Sequence, residues 1–186
     1  MKKIIFSLAL VMFSSSAISA NSSGDAATDL LTGDTRLACE AILCLSSSAG
    51  KGISECAPSL KKYFSISAKK MKDTIKKRKN FLKLCPAAED EGMPELVETL
   101  SKYTGHCKAE ILNRELVEEK RVIIETRRWD EIEYKTVYKI SSKLPSDCKE
   151  MKNNKYTDYN DLHYTGISEW QDEEDFKKSP KGKWVD

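Results

Sequence analysis

Six cysteines constrain this chain more than any other feature. Cys39, Cys44, Cys56, Cys85, Cys107 and Cys148 all follow an N-terminal stretch, MKKIIFSLALVMFSSSAISA, with the form of a secretory signal. Lys2 and Lys3 make its basic start, Ile4 to Phe13 its apolar core, and Ala17-Ile18-Ser19-Ala20 its small-residue end. The apolar run is too short to span a bilayer as a helix. Residues 1–20 therefore read as a signal peptide cleaved near Ala20, and the remainder as a soluble, exported domain. In an oxidising compartment an even set of cysteines means three disulfides, for which about 15 connectivities are open. A metal centre fits poorly: there is no C-x-x-C, and His106 sits next to Cys107 rather than at ligand spacing.

The stretch LACEAILCL, Leu37 to Leu45, carries two of the six. Cys39 and Cys44 project about 140° apart on a helix of ~3.6 residues per turn, so they cannot face one neighbour. With Asp34 as N-cap and Thr35 to Ser46 as helix, Leu37, Ala38, Ala41, Ile42, Leu43 and Leu45 leave only Arg36 and Glu40 as a polar strip. A helix apolar on most sides belongs at the centre of a domain. Its two cysteines would staple it to two different neighbours. The pairing we expect is Cys44–Cys56 across the following loop and Cys39–Cys85 at the end of a later helix, which leaves Cys107–Cys148.

Beyond the signal, residues 21–30 read as a flexible polar lead and residues 31–148 as a helical domain. Pro58 opens a second helix to about Ser65, and Ser67 caps a third that stops before Cys85-Pro86, with Met71, Ile75, Leu82 and Cys85 inward. A fourth helix runs from Pro94 to a stop at Gly105, and a fifth from about Lys108 to Lys120. The period then changes: Ile132, Tyr134, Thr136, Tyr138 and Ile140 alternate with Glu133, Lys135, Val137 and Lys139. That predicts a hairpin over about 121–140, turning at Asp130-Glu131, with one continuous helix as the alternative. A short helix is expected near Cys148, and residues 149–186 as an irregular polar tail packed on or flanking the domain. The fold class is thus mainly α with a small β-hairpin, built around a buried central helix.

Charge excludes one class of partner. Lys+Arg total 31 against 29 Asp+Glu, and Lys2 and Lys3 of the signal account for the whole excess, so nucleic-acid binding has no support. One local feature does stand out: Lys69, Lys70, Lys72, Lys76, Lys77, Arg78, Lys79 and Lys83 on the third helix are relieved only by Asp73. Such a face would suit an acidic protein or an anionic envelope surface, although charge runs more often mark solvated faces. Trp170 and Trp184 in the tail are further candidate anchors for a partner, or straps holding the tail down. Asp158-Tyr159-Asn160-Asp161 starts like a calcium loop, but Leu162 stands where the next oxygen ligand belongs. No nucleophile, phosphate or zincin motif is present, and Glu40 is better placed to pair with Arg36 than to act as an acid. We expect no catalytic residue, cofactor or metal.

The ordered segments LTGDTRLACEAILCLSS, ECAPSLKKYFSI and NFLKLCP, from Leu31 to Pro86, resemble the TrbM/KikA/MpfK family of conjugal transfer proteins. LPSDC at Leu144–Cys148 and the terminal GKWVD extend the resemblance more loosely. The resemblance implies a periplasmic accessory of plasmid conjugation, associated with mating-pair formation and the type IV secretion apparatus, with a protein component of that apparatus as partner. It implies no active site. A secreted effector or toxin, and a cell-wall enzyme, are the competing readings.

Overall fold

Ala38, Ala41, Ile42 and Leu45 recur at i, i+3, i+4 and i+7, and this stripe is the innermost part of the molecule. The computed structural model describes residues 31–124 and 132–186, and Thr32–Asp186 form one compact unit. The signal at 1–20, the lead at 21–30 and the turn assigned to Asp130-Glu131 lie outside the described residues. Helix α1 spans Gly33–Ser46, with Thr32 rather than Asp34 at its N-cap. Cys39 is bonded to Cys85, Cys44 to Cys56, and Cys107 to Cys148. The helix is less enclosed than its composition indicates, for Leu43 is 73% exposed. It lies opposite the packed stripe, where no other element arrives among the described residues. After α1 the chain folds back so tightly that a Cβ on Gly50 would meet the Cys44 carbonyl oxygen, so glycine is required there.

Around α1 stand α2 (Ala57–Ser65), α3 (Met71–Leu82) and α4 (Met93–Lys102). The inner face of α3 is made by Thr74, Arg78, Phe81 and Leu82. Met71 is exposed and Ile75 only half-buried, so the helix is rotated from the expected Met71/Ile75 stripe. The reason is Arg78, whose long stem and guanidinium fill an interior position that a hydropathy pattern assigns to solvent. Gly105, at φ +94°, turns the chain after α4, and the Phe64 ring lies where a side chain would project.

Helix α5 is shorter than predicted, Ala109–Glu115, and β1 takes over at Val117–Ile124. It pairs antiparallel with β2, Glu133–Ile140, from Val117 opposite Ile140 to Ile124 opposite Glu133. The strand thus begins inside the segment assigned to helix, because Val122, Ile123 and Ile124 favour extended backbone and Leu116 and Ser141 already continue the ladder.

The tail is not irregular. After α6 (Ser146–Asn153), the short helix expected near Cys148, come β3 (His163–Gly166), β4 (Gln171–Asp172), α7 (Glu173–Lys178) and β5 (Gly182–Val185). Strand β4 adds to β2, giving the order β1-β2-β4, and β3 pairs with β5. Asn113 substitutes for a strand neighbour: its Oδ1 accepts from Trp184 N–H at 2.7 Å and its Nδ2 donates to Trp184 O at 2.8 Å. The Asp186 carboxylate accepts from Ala109 N–H at 3.0 Å, satisfying a free donor at the start of α5. Tyr159, Leu162 and Trp184 are buried in the common core.

Candidate interaction surface

Lys69, Lys70, Lys72, Lys76 and Lys77 are exposed along α3 and the turn before it. The remaining cations of that run have other work. Lys79 Nζ lies 2.6 Å from Glu98, Lys102 reaches the same carboxylate at 3.5 Å, and Lys102 continues to Glu150 at 3.0 Å. This relay ties α3 to α4 and α6. The Lys79 hydrogen bond holds the Glu98 carboxyl below its ordinary range. Lys83 pairs with Glu89 at 2.7 Å.

Arg78 does not belong to the surface. It is 8% exposed, donating from Nη1 to Tyr103 O at 3.0 Å and from Nε to Ile66 O at 3.3 Å. Its guanidinium carbon sits 4.6 Å from the centre of the Tyr63 ring. Tyr63 in turn donates to the Leu100 carbonyl, and Tyr159 donates to Tyr103 Oη at 3.1 Å. Burial pushes the hydroxyls of Tyr63, Tyr103 and Tyr159 above the ordinary phenol range. These four side chains cross-link α2, α3, the loop after α4 and the tail.

The two tail tryptophans divide. Trp184 is 5% exposed, edge-on to Tyr164, with Nε1 donating to Ser141 O at 3.0 Å; it anchors the tail and cannot reach a partner. Trp170 is half-buried, with Lys120 and Lys139 Nζ over its ring at 4.4 and 4.7 Å.

The hairpin offers a surface that reading its strands singly did not reveal. Residues facing each other across β1 and β2 share a face, so Val117, Glu119, Arg121 and Ile123 stand with Ile140, Tyr138, Thr136 and Tyr134. Toward the far end nothing covers this face among the described residues: Ile123 is 65% and Tyr134 52% exposed, with Ile132 beside them. Alternation in IEYKTVYKI predicts one buried face; what it cannot reveal is that the body of the domain covers only the near half. The apolar residues placed in register from Val117 would have signalled it.

A polar cluster lies where the loop after α4 meets α6. Thr104 Oγ1 donates to Asp147 Oδ2 at 2.6 Å, His106 Nε2 is 2.5 Å from the same hydroxyl, and His106 Nδ1 is 3.3 Å from Glu115 Oε2. It borders an open cavity of about 330 Å³ with Met71, Ile75, Lys102 and Glu150. His106, Asp147 and Cys148 lie within 4.8 Å of one another, but the Cys148 sulfur is bonded to Cys107 and is not a thiolate donor. With the threonine proton directed at Asp147, the arrangement pins the loop to α5 and α6. Glu40, the acid weighed for wall cleavage, pairs with Arg36 at 3.5 Å on the helix surface.

Three disulfides fit an oxidising compartment, and among the described residues no helix is long and apolar enough to cross a membrane. No curated protein and no solved structure matches the chain. The TrbM family model does, over residues 30–184, which takes in nearly the whole of the compact unit and runs from the stapled central helix to the buried tryptophan of the last strand: the chain belongs to the TrbM family of conjugal transfer proteins.

Proposed function

We propose that this protein is an exported, periplasmic accessory of plasmid conjugation that supports mating-pair formation and type IV secretion by binding another envelope component, without catalysing a reaction. The family match over residues 30–184 carries this reading. The distribution of side chains supports a binding role: the exposed lysines of α3 and the uncovered hairpin face lie outside the core, while the candidate acid Glu40 is paired with Arg36 and the carboxylates of Asp147 and Glu115 are engaged with Thr104 and His106. Lys69, Lys70, Lys72, Lys76 and Lys77 would meet an acidic protein surface or an anionic envelope surface, an attraction that salt weakens.

The test is transfer frequency from a donor lacking the gene, complemented with the full-length or a signal-less form. Transfer should fall on deletion and recover only with the exported form. Recovery with the signal-less form would refute an envelope role. Unchanged transfer would refute a contribution to conjugation under those conditions and favour an effector.

A further inference from the structure

We infer that the outer edge of β1 is a self-association surface, on which a second copy of this chain pairs its own β1 antiparallel to form one continuous sheet. Strand β1 lies at the end of the order β1-β2-β4, so along Val117–Ile124 every second N–H and C=O points away from the sheet. Uncovered among the described residues, an edge of eight residues is a template for another strand unless it is short, bulged, broken by proline or guarded by charge; this one is neither short, bulged nor broken, and whether its four charges, Glu118 to Arg121, guard it depends on what they would face.

The sequence of the edge selects the occupant. Two identical strands joined edge to edge are related by a two-fold axis perpendicular to the sheet, which keeps each face on its own side. Only registers in which some residue lies opposite its own copy are then possible. Centred on Glu119, the pairing sets two carboxylates face to face and Val117 against Arg121. Centred on Arg121, it opposes two guanidiniums and sets Glu119 against Ile123. Centred on Lys120, it sets Glu119 opposite Arg121 of the second copy and Val117 opposite Ile123, each twice by symmetry. Every residue of that face then has a partner of opposite charge or of like apolarity.

The same register covers apolar surface that the single chain leaves bare. Ile123 already faces Tyr134 across the hairpin, and Val117 of the second copy would complete the group. On the other face Lys120 meets its own copy, but its Nζ is drawn 4.4 Å from the Trp170 ring of its own chain, and Glu118 of the second copy is its diagonal neighbour. Glu118 stays 3.1 Å from Lys139 of its own chain, so the Lys120 pair, each ammonium over its own Trp170 ring with Glu118 of the other copy on its diagonal, is the one like-charge contact that this register places face to face.

Sedimentation of the oxidised, full domain tests this directly. The protein should be a dimer whose association weakens as salt rises. Glu119→Arg alone and Arg121→Glu alone should each give a monomer, and the double exchange Glu119→Arg with Arg121→Glu should restore the dimer, since it exchanges the two charges without changing the pairing. Both positions are exposed, so circular dichroism of each variant should match the parent. A monomer at every concentration overturns the inference. So does a dimer that survives both single reversals, or single reversals that the double exchange does not rescue.

Discussion

Replacing Arg78 by methionine distinguishes an interior arginine from the surface lysines that surround it in sequence. Methionine keeps the aliphatic stem and its packing and removes the guanidinium. The Ile66 carbonyl, which accepts from Nε at 3.3 Å, then loses that donor, while the Tyr103 carbonyl keeps a share of the Tyr63 hydroxyl proton, whose nearer acceptor is the Leu100 carbonyl. Leaving one such carbonyl without a partner costs about 1–3 kcal/mol. Loss of the cation over the Tyr63 ring adds about 1 kcal/mol. Relief of the desolvated charge offsets part of this. The net loss should be about 2–3 kcal/mol, which for a domain of this size lowers the melting temperature by roughly 2–4 °C per kcal/mol. Thermal unfolding followed by circular dichroism, without reductant and at fixed protein concentration, reads the shift. Lys76→Met on the same helix should move it by no more than about 0.5 kcal/mol in equivalent free energy. Arg78→Lys should fall between, since it restores charge without the planar fork. Equal shifts for Arg78→Met and Lys76→Met would show that the guanidinium is solvated and refute the clamp.

Two further perturbations bear on the framework. The Cys39–Cys85 bridge closes a loop of 46 residues and Cys44–Cys56 one of 12, so on chain entropy their loss costs about 4 and about 3 kcal/mol respectively. Cys39→Ser with Cys85→Ser should therefore unfold at lower urea than Cys44→Ser with Cys56→Ser, and the reverse order would mean that native packing outweighs loop closure. For pH, burial keeps Tyr63, Tyr103 and Tyr159 protonated where the unfolded chain, above about pH 10, releases those protons. Their contribution to stability is whole below that value and declines as pH rises past it. Part of the tyrosinate absorbance should accordingly appear only as near-ultraviolet dichroism is lost; complete ionisation with that dichroism intact would contradict the buried network.

The helical frame was legible because its signals are local. Pro58 and Pro94 mark helix starts, Gly105 a stop, and the apolar run Leu37–Leu45 a helix packed in the core, though not that Leu43 would lie outside it. The rotation of α3 was not, since a pattern that counts arginine as solvent-facing cannot see Arg78 among aromatic rings. Nor was the tail. Tyr159 and Leu162, in the connection between α6 and β3, and Trp184, on the short β5, are buried one at a time with no period, and the partners of Tyr159 and Trp184, namely Tyr103, Asn113 and Ser141, lie far back in the chain. Of the candidate surface, the exposed lysines could be read from composition. Separating them from Lys79, Lys83, Arg78 and Trp184 required the positions of Glu98, Glu89, Tyr103 and Ser141, which sequence distance conceals.

The long-range contacts also explain why the family match runs from residue 30 into the last strand. The segment that carries α1, α2 and α3 closes two disulfides internally, but it does not complete its own core. Tyr63 Oη and Arg78 Nη1 both donate to carbonyls around the end of α4, and Tyr159 approaches the carbonyls of Leu45 and Ser47 at 3.4 Å. Asp186 satisfies α5, and Cys107–Cys148 ties the loop after α4 to α6. A cut anywhere before the last strand would therefore strand buried polar groups without partners. The lysines at 69–77 and the outer edge of β1 have no part in that network among the described residues. Substitution there leaves the core intact, so these two surfaces can be altered to test the proposed binding without changing the fold.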